Sequence, residues 1–133
     1  MSSSAWSIAN EPDGIAVLTL DIPGKSANTL GAAVLQELAT VLDGIERAPP
    51  AGLIIRSGKP GGFIAGADIN EFTTFATVDD ALRSIRLGQG LCDRIAALPC
   101  PTVALLQGFA LGGGLELALA CRDHERVRFS YTA

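Results

Sequence analysis

Short apolar runs of strand length alternate along this chain with apolar residues spaced for helices, and that alternation limits the available folds more than anything else in it. From Leu30 to Arg47 the apolar positions are Leu30, Val34, Leu35, Leu38, Val41, Leu42 and Ile45. Steps of three and four mark one face of an amphipathic helix. Pro49 and Pro50 end it, since proline lacks the N–H a helix needs. Leu53-Ile54-Ile55 then reads as a short strand buried on both faces. In Thr77-Val78-Asp79-Asp80 a threonine is followed by an acid at the third position, an N-cap pattern. It opens a second helix running to about Leu98, with Leu82, Ile85, Cys92, Ile95 and Leu98 expected inward. Pro99 and Pro101 stop that helix, and Thr102 to Leu106 is again a strand. At the front, Trp6 to Ala9 and Ile15 to Ile22 read as strands joined by the turn Glu11-Pro12-Asp13-Gly14. Strands separated by helices imply parallel pairing with crossover helices, an α/β fold. The 133 residues suffice for one domain with a core of its own.

Several function classes are disfavoured at once. The formal net charge is −4, and Lys25 and Lys59 are the only lysines, so no clustered basic face is available for nucleic acid. No apolar run reaches the roughly 18 residues that span a bilayer. Met1-Ser2-Ser3-Ser4 has neither the basic segment nor the apolar core of a secretory signal, and cytoplasmic residence is the default expectation. Cys92, Cys100 and Cys121 lie in or beside apolar segments without close paired spacing, which suits buried free thiols. With His124 the single histidine, no metal site is expected.

The chemistry is concentrated in two segments, each following a buried strand. One is Gly61-Gly62-Phe63-Ile64-Ala65-Gly66-Ala67-Asp68-Ile69; the other is Gly108-Phe109-Ala110-Leu111-Gly112-Gly113-Gly114-Leu115-Glu116. Ligands of α/β sheets bind beyond the carboxyl ends of strands, and glycine lets backbone approach a ligand closely. Two N–H groups converging from separate loops would make an oxyanion hole. Glu116 stands alone among Leu, Ala and Cys in a helix that reads as buried on all sides, where an unpartnered carboxylate is costly and is retained for acid–base work on a carbonyl compound. Blander readings fit the same residues. The glycines suit a tight turn and close helix packing, Glu116 suits a carboxylate satisfied by an amide or an arginine, and Asp68 suits a helix cap. The glycines match neither a dinucleotide fingerprint nor a phosphate-binding P-loop, and His124 has no nucleophile elbow to serve.

Taken together, Phe63-Ile64-Ala65-Gly66-Ala67-Asp68-Ile69 and Ala110-Leu111-Gly112-Gly113-Gly114-Leu115-Glu116-Leu117-Ala118, with Pro23 to Leu30 as a first loop, resemble the crotonase (enoyl-CoA hydratase/isomerase) superfamily. The wording is most similar to the hydratase part of the bacterial fatty-acid oxidation multifunctional enzyme, its alpha subunit. The resemblance covers residues from about 6 to 121. It implies a crotonase/Clp-protease-like spiral of ββα units and an acyl-CoA thioester as ligand, with no cofactor beyond the coenzyme A of the substrate. By that resemblance the N–H groups of Ala67 and Gly113 would hold the thioester oxygen. Glu116 would be the general base in syn hydration of trans-2-enoyl-CoA to 3-hydroxyacyl-CoA in β-oxidation. Lys25, Ser26, Ala27, Ala65, Asp68, Ile69 and Gly112 would contact the acyl-CoA.

The sequence departs from the family in lacking the Pro-Glu motif that carries the second glutamate of hydratases. Residues 1–121 therefore read as the N-terminal part of a crotonase-like domain, incomplete at its C-terminus, and 122–133 as a divergent or truncated tail. Impaired hydratase activity is expected of the chain alone. An isomerase using Glu116 alone, and a non-catalytic CoA-binding or assembly fragment, are the rival readings. No nucleic acid and no membrane insertion are expected. The partner would be a further copy of the chain or, in a full-length parent, a thiolase subunit.

Overall fold

The structure, a computed structural model, describes residues 4–67, 76–121 and 128–130. Strands β1 (Trp6–Asn10) and β2 (Ile15–Leu20) form an antiparallel hairpin in which Trp6 pairs with Leu20 and Asn10 with Ala16. The expected turn closes it. The Gly14 N–H donates to the Glu11 carbonyl at 3.0 Å, and the Asp13 carboxylate accepts from the Ile15 N–H at 3.1 Å, as short acidic side chains do in turns. Helix α1 (Ala32–Arg47) then crosses to β3 (Gly52–Ser57), which lies parallel to β2. After β4 (Gly62–Ile64), helix α2 (Val78–Ala96) crosses to β5 (Thr102–Gln107), parallel to β3. The chain continues through β6 (Phe109–Ala110) and helix α3 (Gly113–Ala120) to β7 (Arg128–Ser130). Among the described residues the main sheet has the order β1-β2-β3-β5-β7, and β4 and β6 make a small parallel sheet of their own.

The core lies between the main sheet and the helices. Ala16, Leu18 and Leu20 of β2 are buried while their neighbours are half-buried, the period-2 pattern of a strand packed harder on one face. They meet Leu35, Leu38, Leu42 and Ile45 of α1, with Ile55, Ile95 and Ala104. Each such aliphatic side chain contributes about 1.5–3 kcal/mol on burial. Polar ties fix the layers. The Trp6 indole N–H donates to the Val34 carbonyl at 3.0 Å, and the Glu37 carboxylate accepts from the backbone N–H groups of Trp6 and Ala5 at 3.1 and 3.2 Å and from the Ser4 hydroxyl. Arg94 of α2 reaches Asp43 at 2.7 Å and also Glu46, both on α1.

Three sequence expectations change here. Leu82 and Ile85, expected inward, are exposed, whereas Leu91, which the pattern did not single out, is buried. The first half of α2 runs beside a cavity, and its core packing starts only at Leu91 and continues through Ile95. Helix α3 is not buried all round: Gly114, Leu117 and Ala118 face inward, while Leu115 and Leu119 are 40% and 56% exposed. Finally, the segment read as a tail contains β7, which extends the sheet by pairing Leu105 with Arg128 and Gln107 with Ser130.

Candidate active site

Two backbone loops meet at the ends of β4 and β6. The parallel pairing of these strands joins Gly62 to Phe109 and Ile64 to Ala110, and the Leu111 N–H donates to the Ile64 carbonyl at 3.1 Å. Beyond them Gly66 and Gly112 pass so closely that a Cβ on Gly66 would lie 3.3 Å from the Leu111 carbonyl oxygen. Both have positive φ, +114° and +50°, a region L side chains enter at a cost. The glycines expected to serve a ligand therefore also serve the mutual approach of the loops. Gly114 serves only that approach: its Cβ would fall 2.6 Å from the Ile64 Cβ.

Ala67, at the end of the first loop, and Gly113, opening α3, line one cavity of about 200 Å³, and Glu116 lines it too. Leu30, Leu35, Leu91 and Leu117 give it apolar walls, and Ser84, Ile85, Gly88, Gln89 and Cys92 of α2 close another side. Glu116 is the one carboxylate among these described lining residues. It is exposed, which corrects the expectation of a carboxylate sealed in apolar surroundings. It sits one helical turn from the start of α3, on the side of the helix away from Gly114, Leu117 and Ala118. At that start, the Gly114 N–H bonds back to the Leu111 carbonyl at 2.9 Å and the Glu116 N–H to the Gly112 carbonyl at 3.1 Å. No side chain caps the helix at Gly112.

The remaining expected residues divide. Ala65 lies on the first loop and donates its N–H to the Asn28 carbonyl at 2.8 Å. Lys25, Ser26 and Ala27 lie in the loop after β2 and do not line the cavity. Asp68 and Ile69 fall outside the described residues. Sequence reasoning missed the α2 wall altogether. The signal was there in Gly88-Gln89-Gly90, two glycines inside an otherwise helical pattern, which usually have a packing or functional reason.

Cys92 brings a thiol to the cavity. Burial pushes its pKa up, and the negative charges of Glu116 and Asp93 push it further. Cys121 is raised to about 11, by burial first and in part by Cys92, against a hydrogen bond with Thr102. None of Cys92, Cys100 and Cys121 is in a disulfide, and the latter two are buried. A larger groove of about 480 Å³ lies between the hairpin and α1, but none of its lining side chains titrates. Among the described residues no His, Cys, Asp and Glu side chains are grouped to hold a metal ion, and no helix is long and apolar enough to cross a membrane.

Residues 10–123 match the model of the enoyl-CoA hydratase/isomerase family. The chain belongs to that family. It is 44% identical over 124 residues to the fatty acid oxidation complex subunit alpha of Idiomarina loihiensis, which covers 92% of this chain and 17% of that protein. To the subunit of the same name from Aliivibrio fischeri it is 47% identical over 122 residues, 90% of this chain and 18% of that one. The fold is similar to enoyl-CoA hydratase from Bacillus anthracis, with a TM-score of 0.81 and 29% identity over 88% of this chain. The Geobacillus kaustophilus enzyme gives 0.82 and 32% over 92%. The chain spans 45% of each of those structures. The crotonase-type α/β fold expected from the two loop motifs is thus the observed one, over less than half the length of those solved hydratases. In this enoyl-CoA hydratase/isomerase family member, two glycine-bearing loops meet at one cavity.

Proposed function

We propose that the cavity is an acyl-CoA thioester site of enoyl-CoA hydratase type, acting on trans-2-enoyl-CoA in fatty-acid β-oxidation. The observation that carries this reading is that Ala67, Gly113 and Glu116 line the same cavity. In hydration the Glu116 carboxylate takes a proton from water as the water oxygen bonds to C3 of the enoyl thioester. The C2–C3 π electrons move toward the thioester carbonyl, and negative charge grows on its oxygen. The N–H groups of Ala67 and Gly113 are the donors for that oxygen, and they are fixed before the charge develops, which is what makes such donors effective. The first turn of a helix leaves N–H groups without intrahelical partners, which suits Gly113 to this role. A proton returned to C2 completes 3-hydroxyacyl-CoA. Substrate contacts from Lys25, Ser26, Ala27, Ala65, Asp68, Ile69 and Gly112 belong to the same proposal, with coenzyme A entering as part of the substrate and no further cofactor.

A second reading is favoured by the single carboxylate among the described lining residues. Isomerisation needs one base to move a proton from C2 to C4 of a 3-enoyl thioester, again through an oxyanion. Purified protein assayed separately with a 2-enoyl-CoA and a 3-enoyl-CoA separates the two. Glu116→Gln is expected to lower whichever turnover is found by about 10²–10⁴-fold; unchanged turnover removes Glu116 from the chemistry. Binding of acyl-CoA without turnover of either substrate would favour a non-catalytic module. The alpha-subunit relatives carry the name of a fatty acid oxidation complex, and this supports extending the proposal to a cytoplasmic assembly, with a thiolase subunit or with further copies of the chain.

A further inference from the structure

Asn28 is fully buried, at 0% exposure, in a loop whose nearby Lys25 and Ser26 are exposed. A buried side-chain amide needs partners for its oxygen and for its nitrogen, and here they come from separate segments. The oxygen accepts from the Ile22 N–H at 3.1 Å. The nitrogen lies 2.8 Å from the Leu20 carbonyl at the end of β2, 2.9 Å from the Ser57 hydroxyl at the end of β3 and 3.1 Å from the Phe63 carbonyl in β4. With two protons and three acceptors, one proton is shared.

From this hub the backbone runs directly to the proposed oxyanion donors. The Asn28 carbonyl accepts from the Ala65 N–H at 2.8 Å, the Leu30 N–H donates to the Gly66 carbonyl at 2.8 Å, and Leu30 pairs with Ala67 in a parallel bridge. Residues 28–30 are thus a short rail along which 65–67 is laid. The second donor hangs on the same rail. A Cβ on Gly113 would meet the Leu30 side chain at 3.2 Å, and α3 opens from Leu111, whose N–H is held by Ile64 next to Phe63. A rotation of the rail would move Ala67 against Gly113 without touching Glu116.

We infer that Asn28 is the positioning residue for the amide pair of Ala67 and Gly113, tying the ends of β2 and β3 to β4 so that both N–H groups meet one oxygen. This rests on the reading of the cavity as a thioester site. The test uses 4-aminocinnamoyl-CoA, a push–pull chromophore whose absorption moves to longer wavelength when its thioester oxygen accepts strong hydrogen bonds. Asn28→Asp keeps the shape and the oxygen facing Ile22, but turns the donor end into an acceptor facing the Leu20 and Phe63 carbonyls, with the Ser57 hydroxyl the one partner able to donate to it. The expected result is a red shift on binding to the unsubstituted protein and loss of most of that shift in the variant. Its circular dichroism should remain native, and its affinity for the probe should change far less than the shift. Native folding and binding with the full shift would overturn the inference. Should Asn28→Asp fail to fold, Ser57→Ala decides by the same reading. It removes one anchor of the amide while the backbone acceptors stay: a reduced shift supports the positioning role and a full shift ends it. Absence of any shift in the unsubstituted protein removes the thioester reading, and this inference falls with it.

Discussion

Glu116 and Cys92 face one cavity from different helices, and their charges are coupled. Negative charge on Glu116, after burial, holds the Cys92 thiol protonated. Glu116→Gln is therefore expected to lower the Cys92 pKa and speed its alkylation by iodoacetamide between about pH 7 and 9, since the thiolate is the reactive form. Mass spectrometry of Cys92 against time would show it; an unchanged or slower rate contradicts the coupling. An acyl-CoA in the cavity should slow the same reaction by covering the thiol. Glu116 was legible in the sequence as a lone acid in an apolar helix, but its exposure was not, because that depends on what packs against α3. Asn28 lay within the Pro23 to Leu30 loop but was not singled out there. An asparagine in a Pro/Gly/Ser loop reads as a turn residue, and its burial follows only from three strands converging on it.

At the scale of elements, two helical glycines make opposite predictions. A Cβ on Gly114 would fall 2.6 Å from the Ile64 Cβ and 2.7 Å from its carbonyl oxygen, so Gly114→Ala is expected to cost about 1–3 kcal/mol by overpacking. Gly90 in α2 is exposed with nothing within 4 Å of its Cβ position, so Gly90→Ala should stabilise by about 0.5–1 kcal/mol. Thermal unfolding of both variants checks the pair. A third element-level prediction concerns Glu37, which joins β1 to α1. Burial raises its pKa, but hydrogen bonds from Ser4, Trp6 and Ala5 outweigh this, and the net shift is downward. A carboxylate with a depressed folded pKa stabilises the fold above its unfolded pKa and loses that contribution as pH falls through the folded one. Glu37→Gln should therefore lower the melting temperature at neutral pH and flatten the acid limb of stability; an acid limb as steep as the original would refute the assignment. Helix α1 was legible because its burial obeys a local period. The pair β4 and β6 was not, being three and two residues long and existing only where two loops meet.

For the whole molecule, the consequential feature is an apolar stripe. Leu111, Leu115 and Leu119, spaced by four, are all exposed on and just before α3. Contiguous exposed apolar surface lowers solubility. Replacing Leu115 and Leu119 together by Glu is expected to raise solubility, with each substitution changing stability by less than about 0.5 kcal/mol. Solubility measured by precipitant titration, with a melting curve alongside, tests this; a large fall in melting temperature would mean the stripe is packed after all.

The amino-acid order alone settled the helices α1 and α2 and the strands β1, β2, β3 and β5, that strands separated by those helices run parallel, and that the chain resembles the enoyl-CoA hydratase/isomerase family. Those are consequences of periodicity, turn chemistry and motif wording within short stretches of chain. Folding in three dimensions decided the rest: that α2 walls the cavity, that Glu116 and the Leu115 side of α3 are exposed, and that Asn28 binds three strands. Each of these depends on which surfaces, far apart in sequence, come into contact, and no local pattern encodes that meeting.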